Sequence, residues 1–266
     1  MMMDVDKIIH ENLKNKFNDL LNCEPVLRGI IYDVLSNGCA YIIGGFVRDV
    51  FNDRDSRDVD IMVDVSPETL KNILKSNEYT GSINKMGGVK LKLNNLDVDI
   101  WSVANNWAFA KKLVKLNDND KLHSIAKGCF YNYDALVVSV PKFMYNIRYY
   151  NDFIENRELD IIQRRPMYKK HNPTVEANII RAIYIQKQQN INFSNNLIGY
   201  LKSELLELQY NWGNVIDRLM AIKALYPKYD MVSEEDIKST VTKLFINALP
   251  SLFDEENKMV YYKTKI

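Results

Sequence analysis

The sequence predicts an α+β protein: a head mixing strands and helices over residues 1–150, then an all-helical part over 151–266. Two observations predict it. Short β-rich runs closed by glycine, such as CAYIIGG, fall within the first 150 residues. From about Tyr149 onward apolar residues recur at helical spacing, as in ANIIRAIYIQ, NLIGYLKSELLELQ and VIDRLMAIKAL, with few strand signals.

Taken in order, Ile8, Ile9, Leu13, Phe17, Leu20 and Leu21 mark a first helix that Pro25 ends. Leu27, Ile30, Ile31, Val34 and Leu35 mark a second. CAYIIGG reads as a buried strand, FVRDVFN as a helix opening directly after the glycines, and VDIMVDV as a second strand. Ser66-Pro67-Glu68 is a helix start, with a Ser cap and Pro in the first turn. KMGGVKLKLNNLDVDIWSV reads as a hairpin turning at Asn94-Asn95, because Val89, Leu91 and Leu93 alternate with Lys90 and Lys92. A helix-prone polar stretch to about Leu122 follows, and FYNYDALVVSV is part strand or buried element. In the C-terminal part the stripe Leu197, Leu201, Leu205 and Leu206 has the spacing of a core face.

The composition, 47% hydrophobic and 26% charged over 266 residues, suits a globular chain with a sizeable core. A net charge of +1 gives no global field, so nucleic-acid contact would need a local basic face. Three scattered cysteines, without CxxC or paired-His spacing, speak against a disulfide framework or a zinc site. The charged, amphipathic start and the lack of a long apolar run predict a soluble, cytoplasmic protein with no membrane contact.

The chemistry concentrates in GGFVRDVFNDRDSRDVDIMV, residues 44–63. Asp58 and Asp60 flank Val59 on a strand, so their side chains share one face, about 6.5–7 Å apart. Two such carboxylates suit a pair of divalent cations, and oxygen-only ligands favour Mg²⁺, with Mn²⁺ as substitute, over zinc. LDVDIW supplies a second alternate pair, Asp97 and Asp99, from a neighbouring strand. Aspartates at alternate positions also suit the wet face of an edge strand. Two acidic pairs beside the glycine turn Gly44-Gly45, which can aim backbone N–H groups at a triphosphate, shift the balance toward a site.

These residues resemble the head-domain motif of class II CCA-adding enzymes and bacterial poly(A) polymerases, GGxVRDxxLGxxxxDxD. Gly44, Gly45, Val47, Arg48, Asp49, Asp58 and Asp60 match without a gap. The resemblance implies a DNA polymerase β-like nucleotidyltransferase head and helical neck, two Mg²⁺ ions, and an NTP substrate (ATP and/or CTP). It implies Asp58 and Asp60 as metal ligands and Gly44 and Gly45 at the triphosphate. The third acid of the family corresponds to Asp99 or Asp97. Aligning Gly87 with the hairpin glycine favours Asp99, while the residues after the acid fit either. Arg48 and Asp49 would brace the nucleotide loop.

Downstream the likeness thins. CFYNYDAL echoes the family's R-D-F-T-I-N-A-L, keeping Asn132, Asp134, Ala135 and Leu136 but not the Arg-Asp pair. The family's base-selecting E-D-x-x-R-x-x-R-A corresponds to residues 174–182, where only Arg181-Ala182 remain and Val175 and Asn178 replace the Asp and first Arg. Nucleotide contacts are thus expected from Asn132, Asp134 and Arg181, with base selection altered. QRRPMYKKH sets Arg164, Arg165, Lys169 and Lys170 around Tyr168, a composition for an RNA backbone or a solvated loop alike.

The expectation is template-independent transfer of an NMP to an RNA 3′ end, tRNA-like by resemblance. A specialised toxin, defence or phage enzyme is favoured over housekeeping CCA addition, because the base reader is altered and fewer helices remain than the family uses to grip tRNA. Two further readings stand beside it: transfer to a protein or small molecule, and a catalytically silent binding module. The sequence leaves the oligomeric state open.

Overall fold

The computed structural model describes residues 2–56, 58–79, 83, 87–92, 96–163 and 174–246. It divides into two compact units, Met1–Asn156 with Ile161–Arg164, and Arg157–Asp160 with Arg165–Ile266.

The first unit opens with helices α1 (Met2–Cys23) and α2 (Pro25–Asn37). Leu13, Phe17 and Leu21, then Leu27, Ile30, Ile31 and Val34, form their buried stripes. Pro25 occupies the first turn of α2, where its missing N–H would have no helical partner anyway. There follow β1 (Ala40–Ile43), α3 (Gly45–Phe51), β2 (Asp58–Val63), α4 (Pro67–Ser76), β3 (Val89–Lys92) and β4 (Asp97–Ser102). The unit closes with α5 (Trp107–Ala110), α6 (Lys121–Lys127), β5 (Val137–Val140), β6 (Tyr145–Asn146) and α7 (Arg148–Asn156).

The strands make one mixed six-stranded sheet in the order β3-β4-β2-β1-β5-β6. β1 runs antiparallel to β2 and β5, β3 antiparallel to β4, and β2 parallel to β4. A parallel pair needs a crossover. Here α4 and β3 supply it, and Ser66 starts α4 as expected, its Oγ accepting from the Thr69 N–H at 3.0 Å. Alternation then sorts the sheet's two faces. Ile42, Val59, Ile61, Leu91, Val98 and Ile100 are buried on one. On the other, Tyr41, Ile43, Met62 and Val137 join a core cluster with Val103, Ile125, Ala126 and Ala135. That second face also carries the aspartates, at the N-terminal ends of the parallel strands β2 and β4.

The polar stretch before Leu122 is helical only in part. α5 ends at Ala110, Lys112 takes a left-handed backbone (φ +57°), and the chain stays irregular to Asp120. Asn and Asp side chains there capture backbone donors and compete with a helix. Asn117 accepts from Asn119 N–H, and Asp120 from His123 N–H to start α6. The expected Asn94-Asn95 turn lies outside the described residues.

The second unit is helical, with α8 (Val175–Gln189), α9 (Asn195–Trp212), α10 (Val215–Lys223) and α11 (Glu234–Ile246). Thr174, Ser194 and Asn214 cap the first three. It also contains a short parallel pairing of β7 (Glu158–Leu159) with β8 (Asn192–Phe193), which periodicity does not reveal. Of the leucine stripe, Leu197, Leu201 and Leu205 are fully buried, whereas Leu206 is 54% exposed: it steps off the core face of α9. Among the described residues no helix is long and apolar enough to cross a membrane.

Candidate active site

The site begins with strand register. Parallel pairing of β2 with β4 sets Asp58 opposite Asp97 and Asp60 opposite Asp99. Paired residues of neighbouring strands point to the same side, so four carboxylates stand together on one face. Val59, Val98 and Ile100, which alternate with them, are fully buried on the other.

The glycine turn closes over this group from the end of β1. Gly44 has φ +68° and ψ −123°, a backbone that side chains oppose, so glycine is required there. A Cβ on Gly44 would lie 3.9 Å from Asp60 Oδ2, and one on Gly45 3.6 Å from Asp58 Oδ1. The turn and the DxD strand therefore touch, although 13 residues of sequence separate Gly45 from Asp58. The Gly44 N–H is already spent on the Leu136 carbonyl (2.9 Å). The donors left for an anion are those of Gly45, Phe46 and Val47 in the first turn of α3, which have no partner within the helix.

Arg48 buttresses the turn. Its guanidinium lies 4.0 Å from the centroid of the Tyr133 ring, donates to the Tyr133 carbonyl (3.4 Å) and pairs with Asp134 Oδ1 (3.5 Å). Asn132, Tyr133 and Asp134 form a 3₁₀ turn in which Asn132 is buried, and Tyr133 packs edge-on against Phe153 of α7. The Asp49 carbonyl accepts from the N–H groups of Asn52 and Arg54, shaping the loop toward β2.

The two candidates for a third acid differ in surroundings. Asp97 is tied to Lys90 of β3 (Nζ–Oδ2 2.8 Å), which holds its carboxyl below the usual range. Asp99 is more enclosed. Burial pushes its carboxyl up, Lys90 pulls it back, and the Asp58 and Asp97 charges push it up further. This is the mutual repulsion expected of clustered carboxylates, and a cation would relieve it.

Donor chemistry and placement fit a hard divalent cation: oxygen ligands only, from adjacent strands, beside the glycine turn. Among the described residues no three His, Cys, Asp or Glu side chains already converge on one point. Side-chain rotation would have to complete a coordination shell.

In the second unit, Arg181 lies on α8, partly buried. Asn178, standing where the family motif has its first arginine, is 3% exposed and hydrogen-bonded to Tyr200 of α9. Glu176, also buried, pairs with Arg218 of α10 (2.7 Å). This end of α8 is built into the helical core. Arg164, Arg165, Lys169 and Lys170 lie outside the described residues. Sequence reasoning missed Lys90 as a member of the acidic group. Its alternation with apolar neighbours showed a face, but only strand register shows which acids share it.

A mixed sheet carrying paired aspartates beneath a glycine turn defines the class: a polymerase β-like nucleotidyltransferase head. Residues 40–127 match the poly A polymerase head domain, so this stretch is similar to the heads of that family. Solved structures with the same fold include a CCA-adding enzyme with ATP (TM-score 0.61, 18% identity, 95% of this chain and 57% of that one). A CCA-adding enzyme with CTP gives 0.54 at 18% identity, covering 97% and 62%. The Thermotoga maritima CCA-adding enzyme complexed with tRNA gives 0.53 at 18%, covering 80% and 46%. This chain thus spans less than two thirds of each. No curated protein matches it.

Proposed function

We propose that the chain is a metal-dependent, template-independent nucleotidyltransferase that moves an NMP from an NTP to the 3′ end of an RNA, with a tRNA-like acceptor. One observation carries this reading: the β2–β4 register brings Asp58 and Asp60 beside Asp97 and Asp99, under the Gly44-Gly45 turn. Asp58, Asp60 and Asp99 would hold two Mg²⁺ ions. When bound, such ions lower the pKa of an attacking hydroxyl and neutralise charge on a leaving pyrophosphate. The first-turn N–H groups of α3 would receive the triphosphate, with Arg48, Asp49, Asn132 and Asp134 holding the turn that presents them. The RNA 3′ oxygen would bond to the α-phosphorus as the bond to pyrophosphate breaks, without a covalent protein intermediate.

ATP and CTP are the substrates to try first, since each accompanies a CCA-adding enzyme of this fold. Burial of Asn178 supports a base choice made differently from that family's, with Arg181 the retained contact. That favours a specialised enzyme over housekeeping CCA addition. Arg164, Arg165, Lys169 and Lys170 are proposed for the RNA backbone on composition alone. The test is incubation with Mg²⁺, each labelled NTP in turn, and total RNA or total protein, beside the Asp58→Ala/Asp60→Ala variant. Label entering RNA only with the intact aspartates supports the proposal. Label entering protein instead would move the acceptor to another class, and no label in either would remove the enzymatic reading.

A further inference from the structure

Four carboxylates on two adjacent strands are more than a three-ligand site uses, and their repulsion has to be met somehow. Antiparallel pairing of β3 with β4 places Lys90 opposite Asp99 and Lys92 opposite Asp97, so both lysines share the acidic face. Lys90 does not stop at its direct neighbour. Its ammonium reaches diagonally to Asp97 Oδ2 at 2.8 Å. The backbone beneath is fixed, because the Tyr79 hydroxyl donates to the Lys90 carbonyl at 2.7 Å. Asp97 is thereby engaged by one lysine and flanked by a second, while Asp99, in register with Asp60, stays beside the DxD pair.

We propose that Lys90 is a positioning residue that withdraws Asp97 from the metal donors, leaving Asp58, Asp60 and Asp99 as the cation set. This rests on the metal-dependent reading above and adds the choice among its acids. Lys90 also reduces the negative charge of the face by one, so it restrains cation affinity as well as selecting the ligands.

Charge arithmetic makes the idea testable without any turnover. Mn²⁺ binding is measured by titration calorimetry on the protein without nucleotide, with circular dichroism to check folding. Lys90→Met frees Asp97 and should tighten binding about three- to tenfold. Asp97→Asn alone should weaken it by a similar factor, because the released ammonium turns to Asp99. The double variant restores the wild-type balance of charge around Asp58, Asp60 and Asp99, and should bind within about twofold of wild type. If Asp97 is itself a ligand, the double variant lacks that oxygen and binds clearly more weakly than wild type, and the proposal is wrong. Lys90→Gln repeats the cycle should methionine disturb β3. A wild-type protein that binds no Mn²⁺ would overturn the metal-dependent reading itself, a different failure from an unrestored double variant.

Discussion

Asp58 and Asp60 sit on a strand whose alternate residues are fully buried, so their exchange for asparagine alters charge without disturbing the core. Asp58→Asn and Asp60→Asn should each reduce nucleotidyl transfer about a hundredfold or more while the thermal midpoint stays near wild type. Gly44 behaves in the reverse way. Its backbone is closed to other residues, and Gly44→Ala should cost about 1–3 kcal/mol in denaturant unfolding, as well as activity. All three residues stand out in the sequence, because DxD and GG are local patterns. Lys90 does not, since its diagonal reach to Asp97 exists only once β3, β4 and β2 are paired. Between Asp97 and Asp99 the sequence offers only the Gly87 alignment, which favours Asp99; in the structure the two differ in enclosure and in the tie of Asp97 to Lys90.

At the level of elements, periodicity identifies what one segment does alone and misses what neighbours impose. The buried stripes of α1 and α2, and Ser66 at the head of α4, follow from local spacing and capping. The stretch before α6 misleads, because its Asn and Asp side chains serve turns rather than a helix. Asn178 and Glu176 look like free neck residues until α9 and α10 are in place. Replacing Glu176 by alanine removes the buried carboxylate that holds the partly exposed Arg218 guanidinium and should lower stability by about 1–2 kcal/mol, measured by urea unfolding. At α11, Asp236 accepts from Lys187 Nζ (2.5 Å) and from Ser233, and these partners hold its carboxyl down to about 2. A depressed folded-state pKa gives stability that is complete above the ordinary carboxylate pKa and disappears as pH falls toward 2. Asp236→Asn should therefore cost about 1 kcal/mol at neutral pH, the solvent-exposed pair being screened, and almost nothing at pH 2.

Across the whole molecule, the α+β order was readable because strand signals end where helical periodicity takes over. The same sequence shows a divergent α8 start, whose Asn178 the structure places inside the helical core. The central claim is metal-dependent addition of nucleotides to an RNA 3′ end. It is tested most directly by following a 5′-labelled tRNA lacking its terminal nucleotides on a sequencing gel, with Mg²⁺ and ATP or CTP. The account predicts lengthening by whole nucleotides that requires a free 3′ hydroxyl and disappears with EDTA or with Asp58→Asn. Unchanged RNA length with folded, Mn²⁺-binding protein under every NTP, or lengthening that persists in Asp58→Asn, would contradict it.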